Sequence, residues 1–184
     1  MLNLTYSYRI YPDANQEERM LAWMEQCRRV YNYALAERKD WSNSRRCVVN
    51  ACSIVREYII PADTPYPDYY KQQNALTLAK ESIKQLQDVQ SQVLQDALKR
   101  LDKAFRFVKE RGFGFPRFKK YGQYRSFVFP QFKSNPVTGK QIKLPKIGSV
   151  PITLHRPIPD GFVVKQVLCS YQGFRVGSST DAAI

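Results

Sequence analysis

Residues 111–132 read RGFGFPRFKKYGQYRSFVFPQF, and here the chain changes from helical patterns to short strand patterns. The stretch holds eight aromatic and five cationic side chains and no carboxylate. Cations bind phosphates without reading sequence, and aromatic rings offer faces on which bases stack, so the mixture indicates nucleic acid. The alternative is that the rings form the core of strands while the cations are solvated. A solvated face normally mixes both signs of charge, and this stretch does not.

The patterns on either side of this stretch set the order of the elements. Leu2, Leu4, Tyr6, Tyr8 and Ile10 alternate with polar residues, which predicts an N-terminal strand with one buried face. Proline, glycine and alternating runs after residue 112 predict strands at 126–132, 141–144, 150–154 and 162–168. The fold class is therefore α+β. The simplest assembly pairs the first strand with the late strands and leaves the helices between them as an insertion.

The intervening region carries the helical signals. Asp13 followed by Gln16 is a capping-box pattern, which predicts a helix start. Apolar residues then recur at helical spacing from Met20 to Leu35, while Arg28, Arg29 and Arg38 are expected on the solvated faces of this helix. We expect a shorter helix from 47 to about 60. A further helical stripe runs from 76 to 108 with a break near 88–91, since one helix of that length would be unusual.

The charge is distributed unevenly along the chain. The 184 residues carry a net charge of +13 and fit one domain or two small ones. Residues 1–110 hold 17 Lys/Arg against 14 Asp/Glu, whereas residues 111–184 hold 12 against 2. A nearly neutral first part and a strongly basic second part indicate a polyanionic partner, nucleic acid ahead of an acidic membrane surface.

The sequence offers no pattern for catalysis or for a metal. The four cysteines form no CxxC pair, and the lone histidine, His155, fits an incidental role. The basic part holds only Asp160 and Asp181, too few for a two-metal nuclease. We therefore predict no catalytic residue, no metal and no cofactor. No apolar run approaches the ~20 residues that span a bilayer, and reduced cysteines fit a cytoplasmic protein without membrane contact.

Four motifs in this order resemble the TnpB family of insertion-sequence-encoded proteins. The first is RIYPD at 9–13 with Gln16 and RVYNYAL at 29–35, which resembles the family's helix-turn-helix segment. The others are VLQDALKRLDKAF at 93–105, GFPRFKK at 114–120 and IKLPKIG at 142–148. Together they cover the chain to about residue 167.

The resemblance implies a wedge-like antiparallel β-barrel interrupted by a helical, helix-turn-helix-like recognition insertion. On that reading residues 1–11 are the first barrel strand, 12–110 the insertion, 111–168 the basic, aromatic-rich remainder of the barrel and 169–184 an irregular tail. In the family this part binds guide RNA and recognises a short DNA motif, and a RuvC-type nuclease domain follows it in the chain. The sequence ends before any such nuclease, which suggests a truncated or frameshifted copy.

The expected function is thus binding of DNA and guide-type RNA, associated with transposition or recombination, without a nuclease site in this chain. Two alternatives stay open: an active transposition enzyme that takes carboxylates from another chain, and a basic adaptor for an acidic protein. The family's DNA-reading residues fall on the helix that matches 93–105, so the resemblance assigns Gln95 to DNA contact. Lys99 lies one turn further along the same helix and could reach the DNA together with Gln95. The full set of expected binding residues is Gln95, Lys99, Arg117, Lys119, Lys120, Tyr124, Arg125, Lys143 and Lys146.

The aromatic and cationic residues of the central stretch receive different expected roles. Arg117, Lys119, Lys120 and Arg125 are assigned to phosphates, and Tyr124 to stacking or a sugar contact. For the phenylalanines at 115 and 118 we expect core positions, with the proline between them fixing the chain so that the cations point outward.

Overall fold

The computed structural model describes residues 4–45, 60–112, 114–159, 161, 163–171 and, for the backbone, 180–183. Within these residues, strand β1 is followed by four helices and then by six further strands, so the predicted order of strand, helices and strands is confirmed. The bounds are β1 Ser7–Ile10, α1 Ala14–Ser44, α2 Tyr69–Ser82, α3 Lys84–Asp88, α4 Ser91–Arg111, β2 Ser126–Phe129, β3 Val137–Thr138, β4 Gln141–Leu144, β5 Gly148–Thr153, β6 Val167–Tyr171 and β7 Thr180–Ala183.

The strands form one antiparallel sheet in the order β2-β6-β7-β1-β5-β4-β3. The N-terminal strand lies inside this sheet, with Arg9 opposite Thr153 of β5 and opposite Asp181 of β7. The predicted pairing of the first strand with the late strands is therefore confirmed. Among the described strands, β2 and β3 end the sheet without pairing to each other, so the α+β class holds but closure into a barrel is not confirmed.

Strand β1 shows how alternation places the core. Tyr8 and Ile10 are buried, while Ser7 and Arg9 face outward. The strand was predicted from Leu2, but its pairing with β5 and β7 involves only residues 7–10. Leu4 lies outside the sheet and is exposed. The predictions for β4 and β5 hold to within two residues, whereas β2 ends at Phe129 instead of 132 and β6 starts at Val167 instead of 162.

Helix α1 closes one side of the core. The capping box is present, with the Asp13 carboxylate accepting from the Gln16 N–H at 2.7 Å and the Gln16 side chain accepting from the Asp13 N–H at 3.1 Å. The predicted apolar stripe is buried, and Trp23 meets Phe127 and Phe129 of β2 at ring distances of 5.7 and 6.1 Å. This contact fixes the helical layer on the sheet.

The break predicted near 88–91 is confirmed, since α3 ends at Asp88 and α4 begins at Ser91. A second interruption, not predicted, lies at Ile83, whose backbone is extended (φ −104°, ψ 103°). Helix α4 ends at Gly112 with a left-handed backbone (φ 66°), the conformation that glycine adopts without a steric cost. The helix predicted from 47 lies outside the described residues up to position 59, and Ile60 is not helical.

Arg38 was expected on the polar face of α1, and this expectation is wrong. The side chain is 1% exposed and joins three helices, donating to Gln72 of α2 at 3.0 Å and to Asp102 of α4 at 3.1 Å. Its guanidinium also lies over the rings of Tyr66 and Phe105. A buried guanidinium is tolerated when hydrogen-bonded partners and ring faces surround it.

Two more findings bear on the predicted organisation. The segment 169–184, expected to be irregular, contains the end of β6 and strand β7. Within the part of the chain that the structure describes, none of the helices is long and apolar enough to cross a bilayer.

Candidate nucleic-acid interface

The basic loop, residues 114–125 between α4 and β2, is held on α1 by one asparagine. The Asn32 Nδ2 amide donates to the Lys119 carbonyl at 2.9 Å, and the Lys119 N–H donates to Asn32 Oδ1 at 2.9 Å. Arg28 adds a third hydrogen bond, from Nη1 to the same carbonyl at 3.0 Å. A side-chain amide that pairs in both directions with one residue fixes the position of that residue against the helix.

Arg28 is itself oriented by Glu25, one turn earlier on α1. The guanidinium donates to both carboxylate oxygens, at 2.7 and 2.8 Å. This hydrogen bond from Arg28 lowers the pKa of Glu25, and Arg29 contributes further in the same direction. We expected Arg28 on a solvated helix face, but it takes part in holding the loop.

A tight turn follows the anchored residue. The Gln123 N–H donates to the Lys120 carbonyl at 3.1 Å, and the Lys120 N–H donates to Gln123 Oε1 at 2.8 Å. Gly122 has φ +72°, which an L side chain rarely adopts. Arg125 Nε donates to the Gly122 carbonyl at 3.1 Å, so the guanidinium folds back onto the turn. Tyr121, at the tip, is 83% exposed.

The anchored loop and α4 border a cleft of about 380 Å³. Three of the predicted binding residues, Lys119, Tyr124 and Arg125, meet there with Arg100 of α4. Arg100 is fixed by Asp96 (Nε to Oδ2, 2.7 Å) and donates from Nη1 to the Ser126 carbonyl and hydroxyl. The full lining is Tyr31, Arg100, Ala104, Lys119, Gln123, Tyr124, Arg125 and Ser126, three cations without a carboxylate.

Tyr124 lies in the wall of this cleft and not on its surface. The residue is 6% exposed, its ring is 6.4 Å from that of Tyr31, and the Arg100 guanidinium lies 5.4 Å from its centre. Burial raises the pKa of the Tyr124 hydroxyl. A ring enclosed in this way has no open face for a base, so its placement differs from the predicted stacking role.

The expectation that Phe115 and Phe118 lie in the core is wrong. They are 39% and 47% exposed and lie on the outside of the helical layer. Phe115 meets the Phe105 ring edge-on at 5.1 Å, and the Lys39 ammonium lies 5.4 Å from the centre of Phe118. The loop runs over α1 and α4 instead of between them, so each ring contacts one helix and stays partly exposed to solvent.

The other predicted binding residues are spread over the molecule. Arg117 and Lys120 are exposed in the loop, while Gln95 and Lys99 lie on α4 and are not among the residues that line the cleft. Lys143 projects from the outer face of β4, opposite Ser149.

Lys146 occupies the turn between β4 and β5, with φ 64°. Its ammonium donates to the Gln87 carbonyl of α3 at 2.6 Å, while Arg19 donates to the Lys146 carbonyl at 2.7 Å. The side chain borders a second and larger cleft, of about 750 Å³, which also contains Glu18 and Asp88. With both signs of charge present, this cleft fits a phosphate less well than the first one does.

Sequence reasoning missed Arg100, Tyr31 and Tyr121. In the sequence, Arg100 and Tyr31 look like ordinary residues of helices. Nothing local marks them as a site, because they border the cleft only once the loop is docked on α1 and α4. For Tyr121 a signal existed: the following glycine favours a turn, and a turn exposes the side chain before it.

The titratable side chains of the described residues include two buried thiols and one histidine. The described residues contain no group of three or more histidines, cysteines and carboxylates placed to hold a metal ion. Burial raises the pKa of the Cys27 and Cys169 thiols to about 12, so both are protonated and inert at neutral pH. His155 is exposed beside the Tyr8 ring, at 5.3 Å.

Two comparisons with known proteins agree with the motifs. Residues 1–47 match the sequence profile of a helix-turn-helix domain of the OrfB/IS605 type. Within the described residues this segment consists of β1 and the long helix α1. Over 145 residues the chain is 30% identical to an Escherichia coli (strain K12) protein named "Putative RNA-guided DNA endonuclease InsQ".

That alignment covers 78% of this chain and 32% of InsQ, so the chain spans about a third of the length of its relative. The aligned share of the chain extends well beyond the helix-turn-helix match. On these two matches, the chain belongs to the TnpB family and corresponds to its N-terminal part.

Proposed function

We propose that this chain binds nucleic acid, DNA and a structured, guide-type RNA, in the context of DNA transposition or recombination. The name of InsQ describes an RNA-guided DNA endonuclease, and the helix-turn-helix match supports a contact with DNA. The observation that carries the proposal is the basic segment that begins with this loop: from 111 to 159 the chain holds ten Lys/Arg and no carboxylate. Such a segment binds phosphates irrespective of base sequence.

The loop presents its cations in two ways. Arg117 and Lys120 are exposed, and in the described part of the chain neither side chain has a hydrogen-bond or ion-pair partner. Lys119 lies with its ammonium 5.2 Å from the centre of the Tyr31 ring, and Arg125 borders the cleft beside it. Unpaired cations lose no internal contact when they bind phosphate, so the full gain from counterion release goes to binding.

We propose further that this chain has no nuclease activity of its own. Three of the described carboxylates in the helical part, Glu25, Asp96 and Asp102, are engaged with arginines, and no group of three or more carboxylates, histidines and cysteines converges among the described residues. A two-metal nuclease needs several carboxylates that converge on one point. Incubation with DNA or RNA and Mg²⁺ or Mn²⁺ should leave the nucleic acid intact, and cutting that survives purification to homogeneity would contradict this.

The division into a first barrel strand (1–11), a helical recognition insertion (12–110) and a basic barrel remainder (111–168) stays a proposal. It is supported by β1 pairing with β5 across the helical insertion. The closed barrel is likewise proposed, with β2 and β3 as the edges that would have to meet.

Salt-dependent binding tests the proposal. Replacing Arg117 and Lys120 with Ala should weaken binding to all sequences alike and reduce the salt slope by about 2, since each lost phosphate contact removes about 1. The control is the matched pair Lys84→Ala and Lys109→Ala, which removes two exposed positive charges from the nearly neutral part.

The control pair should leave the slope close to that of the unchanged protein. Equal slopes for the two pairs would mean that the loop does not touch phosphate. A slope that is shallow for the unchanged protein itself would instead favour the adaptor for an acidic protein.

A further inference from the structure

We propose that Tyr121 is a stacking platform for an unpaired base of the bound nucleic acid. The cations beside it would hold the phosphates of the same strand. This inference rests on the proposed function and names its ligand class, unpaired nucleotides instead of a continuous duplex. RNA and DNA share the chemistry involved, because both offer base faces and phosphates.

Exposure singles out Tyr121 only together with its surroundings. Tyr33 and Tyr70 are exposed to a similar degree, but they lie on helices in the nearly neutral part of the chain. Tyr121 follows Lys119 and Lys120 directly, and Arg125 folds back onto the same turn. A ring with an open face among cations is the combination that single-strand binding proteins use.

The support beneath the ring is fixed before any ligand arrives. The turn is closed by two hydrogen bonds between Lys120 and Gln123, and its left-handed position is filled by Gly122. Upstream, Lys119 is anchored to α1 through Asn32. A ring carried on an ordered turn loses little conformational freedom on binding, which leaves more of the stacking free energy for affinity.

The neighbouring cleft supplies sites for the phosphates. Arg100 uses Nε and Nη1 for internal hydrogen bonds, and Arg125 uses Nε. Within the described residues, the remaining guanidinium N–H groups of both arginines have no hydrogen-bond partner. No carboxylate is among the residues that line the cleft. Bases in a duplex are already stacked on their neighbours, whereas an unpaired base gains from the tyrosine. The arrangement therefore favours a single strand, a loop or a strand end.

The test compares Tyr121→Ala with the unchanged full chain. The probes are labelled oligothymidylate, labelled oligouridylate and a mixed-sequence DNA duplex of the same length, all at one salt concentration. We expect Tyr121→Ala to bind both single strands about 5- to 150-fold more weakly, because stacking on an aromatic ring contributes roughly 1–3 kcal/mol per base. Affinity for the duplex should change by less than about 2-fold on the same reasoning.

Two controls separate stacking from folding and from charge. Tyr121→Trp should keep single-strand affinity, because it keeps an aromatic face, and Tyr70→Ala should match the unchanged chain. The melting temperature of Tyr121→Ala should equal that of the unchanged chain. The salt dependence of its binding should also be unchanged, since no cation is lost.

Unchanged single-strand affinity of Tyr121→Ala would overturn the inference, as would an equal loss on the duplex. In both of those cases the unchanged chain still binds, so the proposed function stands. If the unchanged chain binds none of the three probes, the proposed function fails as well.

Discussion

Replacing Asn32 with Ala should loosen the attachment of the basic loop to α1 without changing the charge of the protein. Two hydrogen bonds of 2.9 Å join the Asn32 side chain to the Lys119 backbone, and both are lost in the variant. A net contribution of about 0.5–1.5 kcal/mol for each gives an expected cost of about 1–3 kcal/mol. The Arg28 hydrogen bond to the Lys119 carbonyl remains, so the attachment of the loop to α1 is weakened but not abolished.

The control for this prediction is Asn43→Ala on the same helix, where the asparagine is exposed. Both changes exchange asparagine for alanine within α1, so Asn43→Ala reports the effect of the exchange itself where the side chain has no partner in the described residues. The difference between the two variants in urea unfolding therefore isolates the contacts of Asn32. If the loop opens before the whole chain unfolds, the loss appears locally, as faster hydrogen exchange at the Lys119 and Lys120 amides.

Binding gives the functional measurement on the same variant. A loosened loop no longer holds Tyr121 and its neighbouring cations in place, so single-strand affinity should fall while the salt slope stays the same. Unchanged exchange at Lys119 together with unchanged urea stability would refute the anchoring role of Asn32.

Two further predictions concern the helical layer. Arg38→Met keeps the apolar part of the side chain but removes the guanidinium that donates to Gln72 and Asp102. We expect the free energy of unfolding in urea to fall by about 1–3 kcal/mol. Stability equal to that of the unchanged chain would contradict this. The pKa of Glu25 is lowered in the folded state by Arg28, so its stabilising contribution is present above its ordinary value of 4.5 and is lost as the pH falls through the lower folded value. In Glu25→Gln the free energy of unfolding should therefore fall less steeply as the pH is lowered below 4.5. The same pH dependence of unfolding in the variant and in the unchanged chain would contradict this prediction.

The local elements of this fold could be predicted from sequence because their signals are local. The capping box at Asp13 and Gln16 forms within one helical turn, so no distant residue is needed to make it. Alternation in β1 and helical spacing in α1 follow from fixed periods of the backbone. The order of these elements then left few ways to pair the first strand, and the observed pairing with β5 is one of them.

The candidate site was predicted only in part. Lys119 and Arg125 meet at the cleft as members of the expected set, but Arg100 reaches it from α4, which lies beside the loop only after folding. Lys146 was expected to bind nucleic acid, yet its ammonium donates to the Gln87 carbonyl of α3. The side that a lysine faces depends on which backbone carbonyls lie near it, and that is a tertiary property.

Burial of the aromatic residues shows the limit most directly. From the sequence, Tyr124 was expected to be open and Phe115 and Phe118 to be buried, and the structure has the reverse. Composition determined that this chain is basic and rich in aromatic residues, and the order of periodic patterns along the sequence determined the α+β class, because charge and backbone period are properties of local sequence. Which ring is covered depends on the surface that packs across from it, and here the docking of the loop on α1 and α4 decided that Tyr124 is enclosed and Tyr121 is free.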